Sequence, residues 1–89
     1  MLEEIRNRID KIDDELVRLF TERLLLVEEV ANIKKKANLP ILNTTREGEI
    51  ISRLTKDQTD AVAGYIKTLF ATIFDLSRSH QAKIMDGRT

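Results

Sequence analysis

Apolar residues recur along the first part of the chain at Leu2, Ile5, Ile9, Ile12, Leu16 and Leu19, separated alternately by three and four positions. That spacing predicts a helix with a single apolar stripe. The seven-residue rhythm continues through Arg23, Leu26, Val30 and Ile33, and neither proline nor glycine interrupts it before Pro40. One helix from about Leu2 to about Lys36 is expected, a rod of roughly 50 Å at 1.5 Å per residue. Asn38-Leu39-Pro40 should end it, because the residue before a proline is pushed out of the helical region. A loop then runs to about Thr44. Thr44 and Glu47 stand in the S/T-x-x-E relation of a capping box, with Asn43 as the alternative cap. Ile50, Ile51 and Leu54 give the second helix, of about three turns, its apolar face. Asp57, Thr59 and Asp60 cluster as cap-type residues ahead of a third amphipathic helix, with Val62, Ile66, Leu69, Phe70, Ile73 and Phe74 as its face and an end near Met85. Gly64 costs this helix roughly 1 kcal/mol relative to alanine, and residues 86–89 read as a frayed end. No stretch alternates long enough to form a strand, and no repeat or low-complexity tract is found.

The predicted fold class is therefore all-α, with one long, one short and one medium helix in a single domain over residues 1–89. The first helix carries more stripe than two shorter helices can shelter. Two copies packing their long helices together would cover it, so a homodimer is expected. Composition points the same way, since a chain of 89 residues without tryptophan buries only a modest share of its unfolded surface. The absence of cysteine excludes a disulfide scaffold and a cysteine zinc site. With 15 Lys+Arg against 15 Asp+Glu the net charge is zero, so the bulk electrostatics favour neither nucleic acid nor an anionic membrane. An anion would have to be caught locally. The longest apolar runs, such as residues 24–27, are too short for a membrane span, and Glu3 and Glu4 after Met1 do not suit a secretory leader. The chain reads as cytoplasmic.

Polar side chains interrupt the apolar pattern at particular places. Arg23 falls at a stripe position, where an unpaired guanidinium is strongly disfavoured and an anionic partner is needed. Lys34 follows eleven residues later, within about 20° of the same direction and about 16 Å along the axis, so the two side chains can converge from either end of a small cavity. Lys35 and Lys36 read as a solvated basic end that complements the helix dipole, a reading equally open for Lys34. On the third helix the stripe continues into Ser77 and Gln81, an i, i+4 pair of uncharged hydrogen-bonding groups. His80 and Arg78 flank this face. His80 has no second ligand candidate nearby and reads as a surface residue, and the Ser77–His80 spacing does not suit nucleophilic catalysis. Arg46 and Glu47 sit beside the open amides at the start of the second helix, where a hydroxyl or an anion can be bound, although taken alone Glu47 is explained by the capping box. Arg6 lies about 25 Å along a straight helix from Arg23, so if both grip one small molecule, Arg6 comes from a second protomer.

These residues together resemble the all-helical chorismate mutases over essentially the whole chain. The resemblance rests on Ile5-Arg6 with Ile12-Asp13 and Leu16, on Glu22-Arg23, on Val30 with Lys34, on Pro40, on Arg46-Glu47, and on Ser77 followed by Gln81. It implies an interlocked homodimer of three-helix protomers that converts chorismate to prephenate on the route to phenylalanine and tyrosine. It further implies that Arg6 of the second chain and Arg23 bind the two substrate carboxylates and that Ser77 helps to hold one. Lys34 and Gln81 would donate to the ether oxygen, Glu47 would accept from the ring hydroxyl, and Arg46 and Asn43 would lie at that end of the site. Asn43 departs from the aspartate of many relatives. Neither cofactor nor metal is implied. Such domains occur alone or fused to prephenate dehydratase, prephenate dehydrogenase or DAHP synthase.

Two other functions are compatible with the sequence. An isochorismate pyruvate-lyase would use a similar cationic pocket on the way to salicylate. A non-catalytic helical dimerisation or regulatory module would account for the stripe, but not for Arg23, Lys34, Ser77 and Gln81 at inward positions.

Overall fold

In the computed structural model, which describes residues 1–87, the chain forms three helices, α1 (Leu2–Ala37), α2 (Thr44–Thr55) and α3 (Asp60–Met85). The all-α prediction holds, with each boundary within a residue or two of its expected place. The chain end differs from the expectation of fraying. Asp86 caps α3 through its backbone N–H to Ala82 O, and Gly87 donates to Ile84 O with a positive φ of 74°. Residues 88 and 89 of that expectation lie outside the described residues.

The stop of α1 is set two residues before the proline. Asn38 adopts the left-handed conformation (φ 58°, ψ 41°). Its N–H donates to Lys35 O at 3.4 Å, and Leu39 N–H donates to Lys34 O at 2.8 Å. This pair of bonds is a Schellman motif, which asparagine tolerates better than other non-glycine residues. Pro40 then only prevents the helix from resuming. The capping box expected at α2 does not form. Asn43 is the cap, its side chain accepting from Arg46 N–H at 3.0 Å, and Thr44 is the first helical residue. Thr59 caps α3 by accepting from Val62 N–H at 3.3 Å.

α3 packs against both α1 and α2, whereas α1 and α2 do not approach one another directly among the described residues. A gap between them is therefore closed on one side by α3. On α1 the side chains drawn toward α3 include Phe20, Arg23, Leu24, Val27 and Lys34 at intermediate burial and Ala31 fully buried. At 100° per residue these positions form an arc adjacent to the Leu26, Val30 and Ile33 part of the stripe. Arg23 and Lys34 sit at the seam between the two arcs. The stripe itself is not covered. Its members remain about half exposed, from 42% at Val30 to 63% at Ile33, and residues 1–19 are exposed throughout.

The dimensions explain this openness. The chain measures 53 × 29 × 14 Å, and its longest dimension is the length of α1 alone. Its radius of gyration is 16.0 Å, against about 12 Å for a compact domain of this length. Two shorter helices cannot enclose a core along the whole of that rod. The buried residues among those described are Ala31, Ile50, Phe74, Ser77 and Gln81, two of them polar. Phe70 and Phe74 add an edge-to-face ring pair at 5.8 Å.

A Cβ placed at Gly64 meets nothing within 4 Å. Gly64→Ala should therefore stabilise the protein by about 0.5–1 kcal/mol through reduced unfolded-state freedom. Urea unfolding checks this, and a lowered midpoint would mean that another chain approaches α3 at that point.

Candidate active site

The gap between α1 and α2, floored by α3, is a cavity of about 340 Å³, within the size range of small-molecule sites. Its walls bring together Arg23, Lys34, Asn43, Arg46, Glu47, Ser77 and Gln81, seven of the eight residues singled out in the sequence. Arg6 is exposed on the projecting half of α1 and does not line it. Leu26, Val27, Val30, Ile41, Ile50 and Phe74 form the apolar part of the wall.

The polar groups hold one another in place. Arg23 Nη1 donates to Ser77 Oγ at 2.9 Å, across α1 and α3. Burial pushes the Arg23 guanidinium below its usual pKa, and the charge of Arg46 adds to this. Lys34 Nζ donates to Ile41 O at 2.7 Å and to Gln81 Oε1 at 3.0 Å. The Schellman turn at Asn38 reverses the chain so that Ile41 O can meet that ammonium. Because an ammonium only donates, the Gln81 atom facing it must be the oxygen, which leaves the Gln81 amide NH₂ as a donor turned away from Lys34. Ser77 and Gln81 are buried, and no buried side-chain polar atom among the described residues lacks a partner.

Four cations, Arg23, Lys34, Arg46 and Arg78, and one carboxylate, Glu47, line the cavity. The lining carries a net charge of +3 in a chain whose net charge is zero. Among the described residues no carboxylate pairs with Arg23 or Lys34, and Arg46 reaches only Glu49, at 4.0 Å in an exposed pair. Taking guanidinium and ammonium groups partly out of water without a protein counter-ion is costly. Such an arrangement is suited to an anionic ligand that supplies the missing charge.

Arg78 was seen in the sequence only as a flanking residue. Its Nη1 donates to Glu47 Oε2 and its Nη2 to Asp75 Oδ1, and the bond to Glu47 is the main cause of a raised Arg78 pKa. Glu47 is thus committed to α3 and not to its own helix start, which is why the capping box fails. The single available signal was position, since residue 78 lies four after Phe74 and three before Gln81 on one helix face. His80 is also more than a surface residue. It is half-buried and its Nε2 lies 3.1 Å from Glu28 Oε1, joining α3 to α1 outside the cavity. Lys35 and Lys36 are exposed, as expected of a solvated helix end.

The family described as chorismate mutase type II matches residues 5–82, a stretch that contains all eight candidate site residues. A bifunctional chorismate mutase/prephenate dehydratase of Aquifex aeolicus is 41% identical over 63 residues, covering 71% of this chain and 17% of the relative. A chorismate mutase of Methanocaldococcus jannaschii is 42% identical over 55 residues, covering 62% of this chain and 56% of the relative. A T-protein of Haemophilus influenzae is 44% identical over 46 residues, covering 52% of this chain and 12% of the relative. The matched stretch thus spans just over half of the second relative and less than a fifth of the other two. No solved structure gives a significant match. With residues 5–82 aligned to the family, the chain belongs to the type II chorismate mutases.

Proposed function

We propose that this chain is a chorismate mutase that converts chorismate to prephenate as a homodimer, each site being completed by Arg6 of the second copy. The observation that carries the proposal is the cavity's net charge of +3, with Arg23 and Lys34 held in place by neutral partners and not by carboxylates. A dicarboxylate ring compound supplies the missing charge. Family membership supports the same substrate.

The rearrangement is pericyclic. It breaks a carbon–oxygen bond and forms a carbon–carbon bond within one molecule, so it requires neither a nucleophile nor net proton transfer. Two tasks remain for the protein: holding the flexible dianion in its compact conformer and stabilising charge on the ether oxygen as its bond to carbon lengthens. In this proposal Arg23, steadied by Ser77, takes one carboxylate. Lys34 and the NH₂ of Gln81 donate to the ether oxygen. Because Ile41 O and Gln81 Oε1 already fix the ammonium, little reorganisation is needed as charge develops. Glu47 accepts from the ring hydroxyl at the start of α2. Asn43 replaces aspartate there without loss of the helix start, since asparagine caps as well as aspartate does, and its Oδ1 accepts from Arg46 N–H.

The second carboxylate is assigned to Arg6 of a second copy. Within one chain Arg6 lies about 25 Å along α1 from Arg23, beyond the reach of a single small molecule. The uncovered stripe favours a second copy packed along α1.

Exchanging Gln81→Glu replaces a permanent donor by one that donates only when protonated. Activity of this variant should rise as pH falls through the carboxyl range, whereas the wild type keeps its activity across about pH 5–8, where Gln81 does not titrate. Superimposable pH–rate profiles would remove Gln81 from the ether-oxygen role.

Arg23→Ala and Arg6→Ala should each lower kcat/KM by about 10²–10³-fold. If the sites are shared, co-refolding the two inactive variants in equal amounts restores roughly a quarter of wild-type activity, because half of the dimers are mixed and one of their two sites is intact. No recovery, with mixed dimers demonstrated by mass spectrometry, would place both arginines in cis or outside the site.

A further inference from the structure

We infer that Arg78 is a positioning residue for Glu47, holding one carboxylate oxygen so that the other is presented to the substrate hydroxyl, an assignment that rests on the mutase reading above. Arg78 Nη1 donates to Glu47 Oε2 from α3 across to α2, while Glu47 Oε1 accepts no hydrogen bond among the described residues. The second arm of the guanidinium, Nη2, donates to Asp75 one turn earlier on α3. A planar guanidinium anchored at both arms cannot swivel as an ammonium would, so the orientation of the Glu47 carboxylate is set by α3, the same helix that carries Ser77 and Gln81.

This pair is more enclosed than the arginine–carboxylate pairs within α1 and within α2. The side chains of Arg78 and Glu47 are 29% and 25% exposed, against 58% and 61% for Arg18 and Glu15. Exposed pairs of the latter kind constrain little. The start of α2 has need of a constraint, because α1 does not pack against it and Gly48 directly follows Glu47 with open space around it. Direct capture of a substrate carboxylate by Arg78 is disfavoured by the same geometry, since both arms of its fork already hold carboxylates while Arg23 holds only a hydroxyl.

The test is a kinetic cycle on the full chain, with chorismate as substrate, comparing wild type, Arg78→Ala, Arg78→Lys, Glu47→Ala and the double alanine variant. Positioning predicts that Arg78→Ala lowers kcat by about tenfold with KM changed by less than about threefold, and by less than about twofold in the Glu47→Ala background. Arg78→Lys should recover part of the loss, because an ammonium can still hold one oxygen. Equal losses in both backgrounds, or a raised KM at unchanged kcat, would overturn the inference, the latter by making Arg78 a substrate ligand. A wild-type chain inactive toward chorismate overturns the proposed function instead. Urea unfolding of the same proteins then decides the clamp: coupled effects of the two residues sustain it and additive effects overturn it.

Discussion

Two basic side chains on α1, Arg23 and Lys34, are drawn partly out of water without a carboxylate to meet them, and the rest of the structure is arranged around that deficit. Each is held by neutral groups, Arg23 by Ser77 and Lys34 by Ile41 O and Gln81. Neutral partners orient a cation without cancelling its charge, so the field inside the cavity stays available for an anion. The one acid in the lining is bonded to a fourth cation, Arg78, and does not neutralise the other three. A chain with no net charge thereby concentrates positive potential in one place. Family membership and cavity chemistry agree in pointing to a small dicarboxylate.

Fold and site share the same few buried residues. Ile50, Phe74, Ser77 and Gln81 are among the best-buried side chains, and all four line the cavity. The packing that joins α3 to its neighbours is therefore also the packing that shapes the pocket. Beyond it, α1 extends as a projecting rod whose apolar side chains are about half exposed. A surface of that kind is not normal for an isolated small protein, and it is the physical ground for proposing a second copy in the working unit.

What could be read in the sequence follows from how local each signal is. α1 and α3 announce themselves because periodicity is a property of one helix, and the convergence of Arg23 with Lys34 follows from eleven steps of helical rotation. Ser77 and Gln81 were legible for the same reason. The end of α1 was placed well but its cause was not, since a left-handed Asn38 bonding back to Lys35 and Lys34 is a choice of backbone that the composition only permits. The role of Glu47 could not be derived from its neighbours. Its spacing from Thr44 fits a capping box, but the nearby Asn43 caps better and the Arg78 guanidinium arrives from 31 positions away. Likewise the His80–Glu28 contact joins residues 52 apart. Pairings of this kind are decided by tertiary packing, which no helical period encodes.

In the proposed function this positively charged cavity accelerates a rearrangement within one dianionic molecule. Proton NMR of the purified chain incubated with chorismate, followed by a parallel incubation with isochorismate, tests it most directly. Prephenate should appear from chorismate faster than in the protein-free control. Chorismate persisting at the uncatalysed rate would rule out mutase activity, and pyruvate with salicylate released from isochorismate alone would transfer the site to a lyase.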